Sequence, residues 1–239
     1  MKRLPSRLAR GRAAAADWLV AGADLARATR RRLRPGAGVV GDDSGCGGPP
    51  VLVLPGILEP WTYMLPVGRH LQERGHPVHY VETLGWNLRG LERSVELCLR
   101  ALESADGAVI VAHSKGGLIG KAVLARAGTA ALGMVSLATP YLGSGLGGRL
   151  QRLPLLDRSP LGMFLPDSPE LLGLAAERAV NARIVSLAPA WDQVIPGGSY
   201  LDGATNVTLD VGGHFRPLRD PRVHAMIHEH VHALSESAA

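Results

Sequence analysis

The feature that most constrains this chain is an alternation that begins at Val51. Short apolar runs at residues 51–54, 78–82, 108–111, 133–137, 183–187 and 206–209 read as strands. Helical patterns at 63–74, 90–104 and 115–127 lie between them, and another at 222–234 follows the last. Continuous apolar strands separated by helices imply a mostly parallel sheet of about six strands, covered by helices on both faces. The chain has 239 residues, enough for one α/β domain with a substantial core. That domain is expected over residues 50–239, after a basic helical arm and a Gly/Pro-rich linker over residues 1–49.

In a parallel α/β sheet, ligands bind beyond the carboxyl ends of the strands. Four such ends carry suggestive residues. Pro55-Gly56-Ile57 follows the first strand, and Ala112-His113-Ser114-Lys115-Gly116-Gly117 follows the third. Trp191-Asp192 and Gly212-Gly213-His214 follow the last two. Ser, Asp and His thus occur in the chain order of a nucleophile, an orienting acid and a base on such a sheet. A strand that turns sharply into a helix needs small neighbours, which Ala112, Gly116 and Gly117 supply. A serine is a weak nucleophile alone and needs a base within hydrogen-bond reach. His214 is the candidate base, and Asp192 the group that would fix its tautomer.

These residues resemble the α/β-hydrolase superfamily, most of all the small bacterial lipases and esterases. The resemblance runs over roughly residues 51–234 and rests on Ala112 to Gly117, a version of their nucleophile elbow. Thr139-Pro140-Tyr141-Leu142-Gly143-Ser144 is similar to a second family motif, with Tyr in place of His. The family's His-Gly after the first strand is Pro55-Gly56 here. The resemblance implies Ser114, Asp192 and His214 as the catalytic set, with the amides of Ile57 and Lys115 as oxyanion donors. Leu58, His113, Tyr141 and Leu142 are the candidate substrate contacts. Only the amide of Lys115 is expected to serve, with its side chain in solvent. Asp202 and Asp210 compete with Asp192, but the first sits in a Leu-Asp-Gly turn and the second is only four residues before His214. The expected substrate is a carboxylic ester, a lipid or acylglycerol, with no cofactor and no metal. An acyltransferase or thioesterase would use the same triad.

The stretch 141–181 breaks the rhythm. Leu146, Leu150, Leu153, Leu155, Leu156, Leu161, Met163, Phe164 and Leu165 make it strongly apolar, and it is expected to form a partly helical lid.

Two readings come from other classes. His228-Glu229-His230-Val231-His232 matches H-E-x-x-H, a zinc-peptidase signature, although only seven residues follow in which to find a third ligand. A hydrolase-fold binding protein without catalysis would be expected to lack a triad member, and none is missing. Cys46 and Cys98 are too few for a disulfide framework.

The net charge of +5 is unevenly spread. Residues 1–35 hold ten Lys and Arg against Asp17 and Asp24, a local +8 that leaves the remainder at −3. Asp17 and Asp24 interrupt the apolar part of the arm, which argues against a signal peptide and a membrane span. Ala14, Trp18, Ala21 and Leu25 recur at helical spacing, so the arm reads as a helix that is solvated, packed, or laid on an anionic membrane surface. An arm that served only a membrane would be removable without loss of turnover. No interleaved aromatics or reading motif support nucleic-acid binding. The expected location is the cytoplasm, with membrane association through the arm.

Overall fold

The computed structural model describes residues 7–33, 47–144 and 162–238. Six strands form one sheet: β1 (Val51–Leu54), β2 (Val78–Tyr80), β3 (Ala108–His113), β4 (Ala131–Leu137), β5 (Ile184–Ala188) and β6 (Thr205–Thr208). Their order is β2-β1-β3-β4-β5-β6, and every neighbouring pair is parallel. The first connection runs one way and the later ones the other, so the order reverses between β1 and β3. Leu54 pairs with Ala112 at that point, which places the crevice of the sheet beside the end of β3.

Successive side chains of a strand point to opposite faces, and the core divides accordingly. Leu52, Leu54, Ile110, Ala112 and Met134 pack on one side with Val95, Cys98, Leu118 and Ile119. Those partners come from α3 (Leu91–Leu102) and α4 (Lys115–Leu124). Val51, Val53, Val109, Val111 and Val135 pack on the other side with Val67, Leu71, Val223 and Ile227. Those come from α2 (Leu65–Gln72) and α6 (Pro221–Glu236). Cys98 is buried here, and burial pushes its thiol up to about 12, as suits an apolar filler.

Residues 145–161 of the expected lid, with Leu146 to Leu161, lie outside the described residues, as does Cys46. The part that follows belongs to the core rather than to a detached cover. Met163 and Phe164, with Leu171 and Leu174 of α5 (Pro169–Ala176), join the layer of α3 and α4. Ser168 caps α5 by accepting from Leu171 N at 3.2 Å, and Pro169 opens it.

The N-terminal helix, α1 (Arg7–Arg32), differs from expectation in which face it buries. The inward line is Asp17, Ala21, Asp24 and Ala28, one residue out of step with the expected stripe. Trp18 stands half exposed, with its ring 5.2 Å from Phe215. Ala28 joins the core beside α2, and its carbonyl accepts from Thr62 Oγ1 at 2.8 Å. Asp24 forms an ion pair with Arg219. The polar residues face inward because the domain supplies them with partners, a condition that periodicity alone does not register.

Two glycine substitutions separate close approach from open space. A Cβ on Gly116 would lie 2.5 Å from Leu54 O and 2.8 Å from Pro55 O, both backbone atoms that cannot step aside. Gly116→Ala is expected to destabilise by about 1–3 kcal/mol. Gly173, within α5, meets nothing within 4 Å, and Gly173→Ala is expected to stabilise by about 0.4–1 kcal/mol. Thermal melts of the two variants beside wild type check both signs.

Candidate active site

β3 runs directly into α4, and Ser114 is the hinge with φ 51° and ψ −120°. A non-glycine residue at such angles is uncommon and strained. The neighbours explain how it is held. Ser114 N donates to Leu137 O at 2.9 Å, and Gly117 N donates to Ser114 O at 3.0 Å. A Cβ on Gly117 would overlap the side chain of Thr139, so this helix turn can sit close to the end of β4 only because the residue is glycine. Ser114 precedes α4 but makes no side-chain cap on it.

Its hydroxyl instead reaches His214, with Oγ 3.0 Å from Nε2. His214 Nδ1 lies 2.7 Å from Asp192 Oδ2. The carboxylate accepts from Nδ1–H, which leaves Nε2 free to accept from the serine. Asp192 Oδ1 accepts from Val194 N at 2.7 Å and Ile195 N at 2.9 Å. Burial alone would raise the Asp192 carboxyl. The bond and charge of His214, with the two amides, outweigh it and hold the group below its ordinary value. Of the rival acids, Asp202 forms an exposed ion pair with Arg178, remote from this chain of contacts.

The loop after β1 is pinned on both sides of Ile57. Gly56 N donates to Glu59 Oε2 at 2.6 Å, and Leu58 N donates to Trp86 O at 2.9 Å. Lys115 opens α4, where a helix leaves amides without an internal acceptor. The Lys115 side chain corrects the expectation of a solvent-facing lysine. It is fully buried, and its Nζ donates to Asn87 O at 2.8 Å and Arg89 O at 2.6 Å. Burial pushes it down to about 8. Asn87 in turn donates from Nδ2 to Pro55 O at 2.8 Å, so Lys115 ties the 87–89 loop to the loop after β1. Asn87 and Leu58 both carry positive φ, as does Ala138 after β4, and all follow strands or flank these loops.

The four candidate substrate contacts divide. Leu58 and Leu142 are 54% and 62% exposed and are open to a ligand. Tyr141 is buried, with its hydroxyl 2.8 Å from Ser136 Oγ. His113 is fully buried with both ring nitrogens engaged: Nδ1 at 2.9 Å from Glu59 Oε2, and Nε2 at 3.1 Å from the carbonyl oxygen of His214. His113 and Tyr141 are therefore structural, because their polar groups are already spent inside the protein. Burial opposes charge on His113, but Glu59 and the His214 carbonyl outweigh it and raise the imidazole.

Glu59 and Asp17 are buried acids that sequence reasoning missed. Asp17 accepts from His214 N and Arg216 N at 2.8 Å each, from Phe215 N at 3.2 Å, and from Gln193 Nε2. The one available signal for it was an acid in an alanine-rich helical run, in step with Ala21, Asp24 and Ala28.

No protein-family model matches the chain, and no curated protein matches it. Solved structures do. A lipase of Bacillus licheniformis in its mature form superposes with a TM-score of 0.59 at 14% identity, covering 70% of this chain and 85% of that one. The monoacylglycerol lipase of Paleococcus ferrophilus superposes with a TM-score of 0.58 at 15% identity, covering 81% of this chain and 97% of that one. A deformylase of Pseudomonas putida superposes at 0.54 and 15% identity, covering 76% and 92%. The chain has the α/β-hydrolase fold. The superposed proteins of this fold include lipases and a deformylase, so fold alone does not select a substrate.

The H-E-x-x-H reading finds no support in the geometry. His228 Nδ1 is 3.0 Å from His76 Nε2, and His232 is exposed beside Glu236. Among the described residues no three His, Cys, Asp or Glu side chains are grouped to hold a metal ion. A groove of about 810 Å³ lies between α3, α4 and α5, and none of Ser114, Asp192 and His214 lines it.

The depressed Asp192 carboxyl has a consequence for acid stability. The unfolded chain binds more protons in acid than the folded one at this group. Its contribution is present above the ordinary value of 3.8 and is lost as pH falls through the lower folded value. Asp192→Asn is expected to flatten the acid limb of a plot of Tm against pH, measured from neutrality down to the acid transition.

Proposed function

We propose that the chain is a serine hydrolase that cleaves carboxylic esters through an acyl-enzyme. The observation that carries this reading is the unbroken contact chain from a strained serine hydroxyl to an imidazole to a buried carboxylate, at 3.0 and 2.7 Å. In this mechanism Ser114 Oγ attacks the ester carbonyl while His214 Nε2 takes its proton. Asp192 keeps the imidazole in the right tautomer and stabilises the imidazolium. The amides of Ile57 and Lys115 receive the developing oxyanion. The pinned loop on one side and the helix terminus on the other support that role, and each such donor is worth on the order of 2.7–4 kcal/mol. His214 returns the proton to the departing alcohol, and a water activated by the same base cleaves the acyl-enzyme.

An apolar acyl group is the favoured substrate. The exposed side chains of Leu58, beside the oxyanion loop, and Leu142, after β4, support this preference. Membrane contact through α1 remains part of the proposal. The exposed Arg27, Arg30 and Arg31, with exposed Trp18 and Leu19, suit an anionic surface. None of the described helices is long and apolar enough to cross a membrane.

Fluorophosphonate labelling of wild type beside Ser114→Ala tests the nucleophile. Labelling is expected for wild type and lost in the variant, and a folded wild type that stays unlabelled with or without detergent would sink the reading. A panel of esters of rising chain length tests the substrate class. Each added CH₂ buried is worth about 0.8 kcal/mol, so kcat/KM is expected to rise by up to about fourfold per carbon until the site is filled. A flat profile or a preference for acetate would favour small esters over lipids.

A further inference from the structure

His214 has three polar handles, and the mechanism above uses only its side chain. Its backbone amide is held by Asp17, 197 residues away on α1. The carboxylate sits in a row of three successive amides, those of His214, Phe215 and Arg216, and takes a fourth donor from Gln193, the neighbour of Asp192. Asp17 is fully buried. The chain before His214 is shaped to receive it. Gly213 has φ +104°, and a Cβ there would run into Asp17 Oδ1. The same segment is fixed to the acid's loop, because Gly213 N donates to Trp191 O at 2.8 Å and Ala190 N donates to Val211 O at 3.0 Å.

We propose that Asp17 is a positioning residue of the active site, which sets the backbone of the base His214 from the N-terminal helix. This rests on the hydrolase reading for its catalytic meaning, but not for its geometry. An amide row without its anion would be a set of buried donors left unsatisfied, and the loop would shift to find other acceptors. His214 Nε2 would then move relative to Ser114, and a displacement near 1 Å in such a site costs on the order of a hundredfold in rate. The helix is thereby part of the site, and removing the arm would cost turnover.

The test uses the full chain. Asp17→Asn and Asp17→Ser are compared with wild type and with Asp24→Asn, which breaks the pair with Arg219 and leaves the carboxylate at position 17 in place. On a short soluble ester, kcat of both Asp17 variants is expected to fall roughly ten- to hundredfold with KM nearly unchanged, while Asp24→Asn keeps the wild-type kcat. The second readout is the low-field proton resonance of His214 Nδ1–H on Asp192. It is expected in wild type and Asp24→Asn, and broadened or lost in the Asp17 variants. Unchanged kcat in a folded Asp17 variant overturns the proposal, as does an unchanged resonance. A rise in KM with kcat held would assign Asp17 to substrate binding instead, and an equal loss in Asp24→Asn would assign the effect to helix docking as a whole. The resonance needs no turnover. A wild type inert to esters and fluorophosphonate would therefore end the hydrolase reading alone, and the resonance comparison would still decide Asp17.

Discussion

At Ser114 the backbone leaves β3 with φ 51° and enters α4 one residue later, and its surroundings are built around that turn. Holding a serine there costs on the order of 1–3 kcal/mol, which the neighbouring structure must offset. It does so by closing in. Gly116 lies against the carbonyls of Leu54 and Pro55, Gly117 against Thr139, and the Ser114 amide on Leu137 O. The two neighbours of β3, strands β1 and β4, thus clamp the turn from either side. With Ser114 fixed, the loops after β5 and β6 bring Asp192 and His214 to its hydroxyl.

Three buried carboxylates hold His214. Asp192 binds the His214 ring, Glu59 reaches the His214 carbonyl through His113, and Asp17 binds the His214 amide. Each comes from a different part of the chain, and Asp17 and Asp192 also accept backbone amides, while Glu59 accepts that of Gly56. This is how negative charge survives out of water: many aimed N–H donors stand in for the lost hydration. Glu59 has a second effect. It grips Gly56 and His113 at once, so the loop carrying Ile57 is joined to the backbone of His214 through Glu59 and His113.

The sheet and the strand ends that carry Ser114, Asp192 and His214 were legible in the sequence because the signals for them are local. Fully buried parallel strands are continuous apolar runs, and β1, β3 and β5 lie within two residues of the expected bounds. The turn at Ser114 announces itself by small residues on both sides. The supporting layer was not legible. Asp17, Glu59 and the Lys115 side chain are polar, and a single sequence assigns such residues to solvent by default. Each has at least one partner between 26 and 199 residues away. Helix α1 shows the error in its simplest form. The apolar stripe Ala14, Trp18, Ala21 and Leu25 is real, but the buried face carries two aspartates and leaves Trp18 half exposed.

The docking of α1 also orders events in time. The helix precedes β1 in the chain, and its receptors, Gln193, residues 214–216 and Arg219, all follow β5. While the chain is being synthesised, the sheet from β1 to β4 can assemble with the Ser114 turn already inside it, yet the distal partners of Asp17 and Asp24 are still to be made. Closing so long a loop adds only slowly to the entropic cost, about 0.6 kcal/mol per doubling of length, but it must wait for the distal segment to exist. Ser114 is thus made before His214, and the segment of His214 is locked later still. A nascent chain that has reached only β4 holds the Ser114 turn without His214 beside it, and α1 stays without its receptors until residues 193–219 have been added.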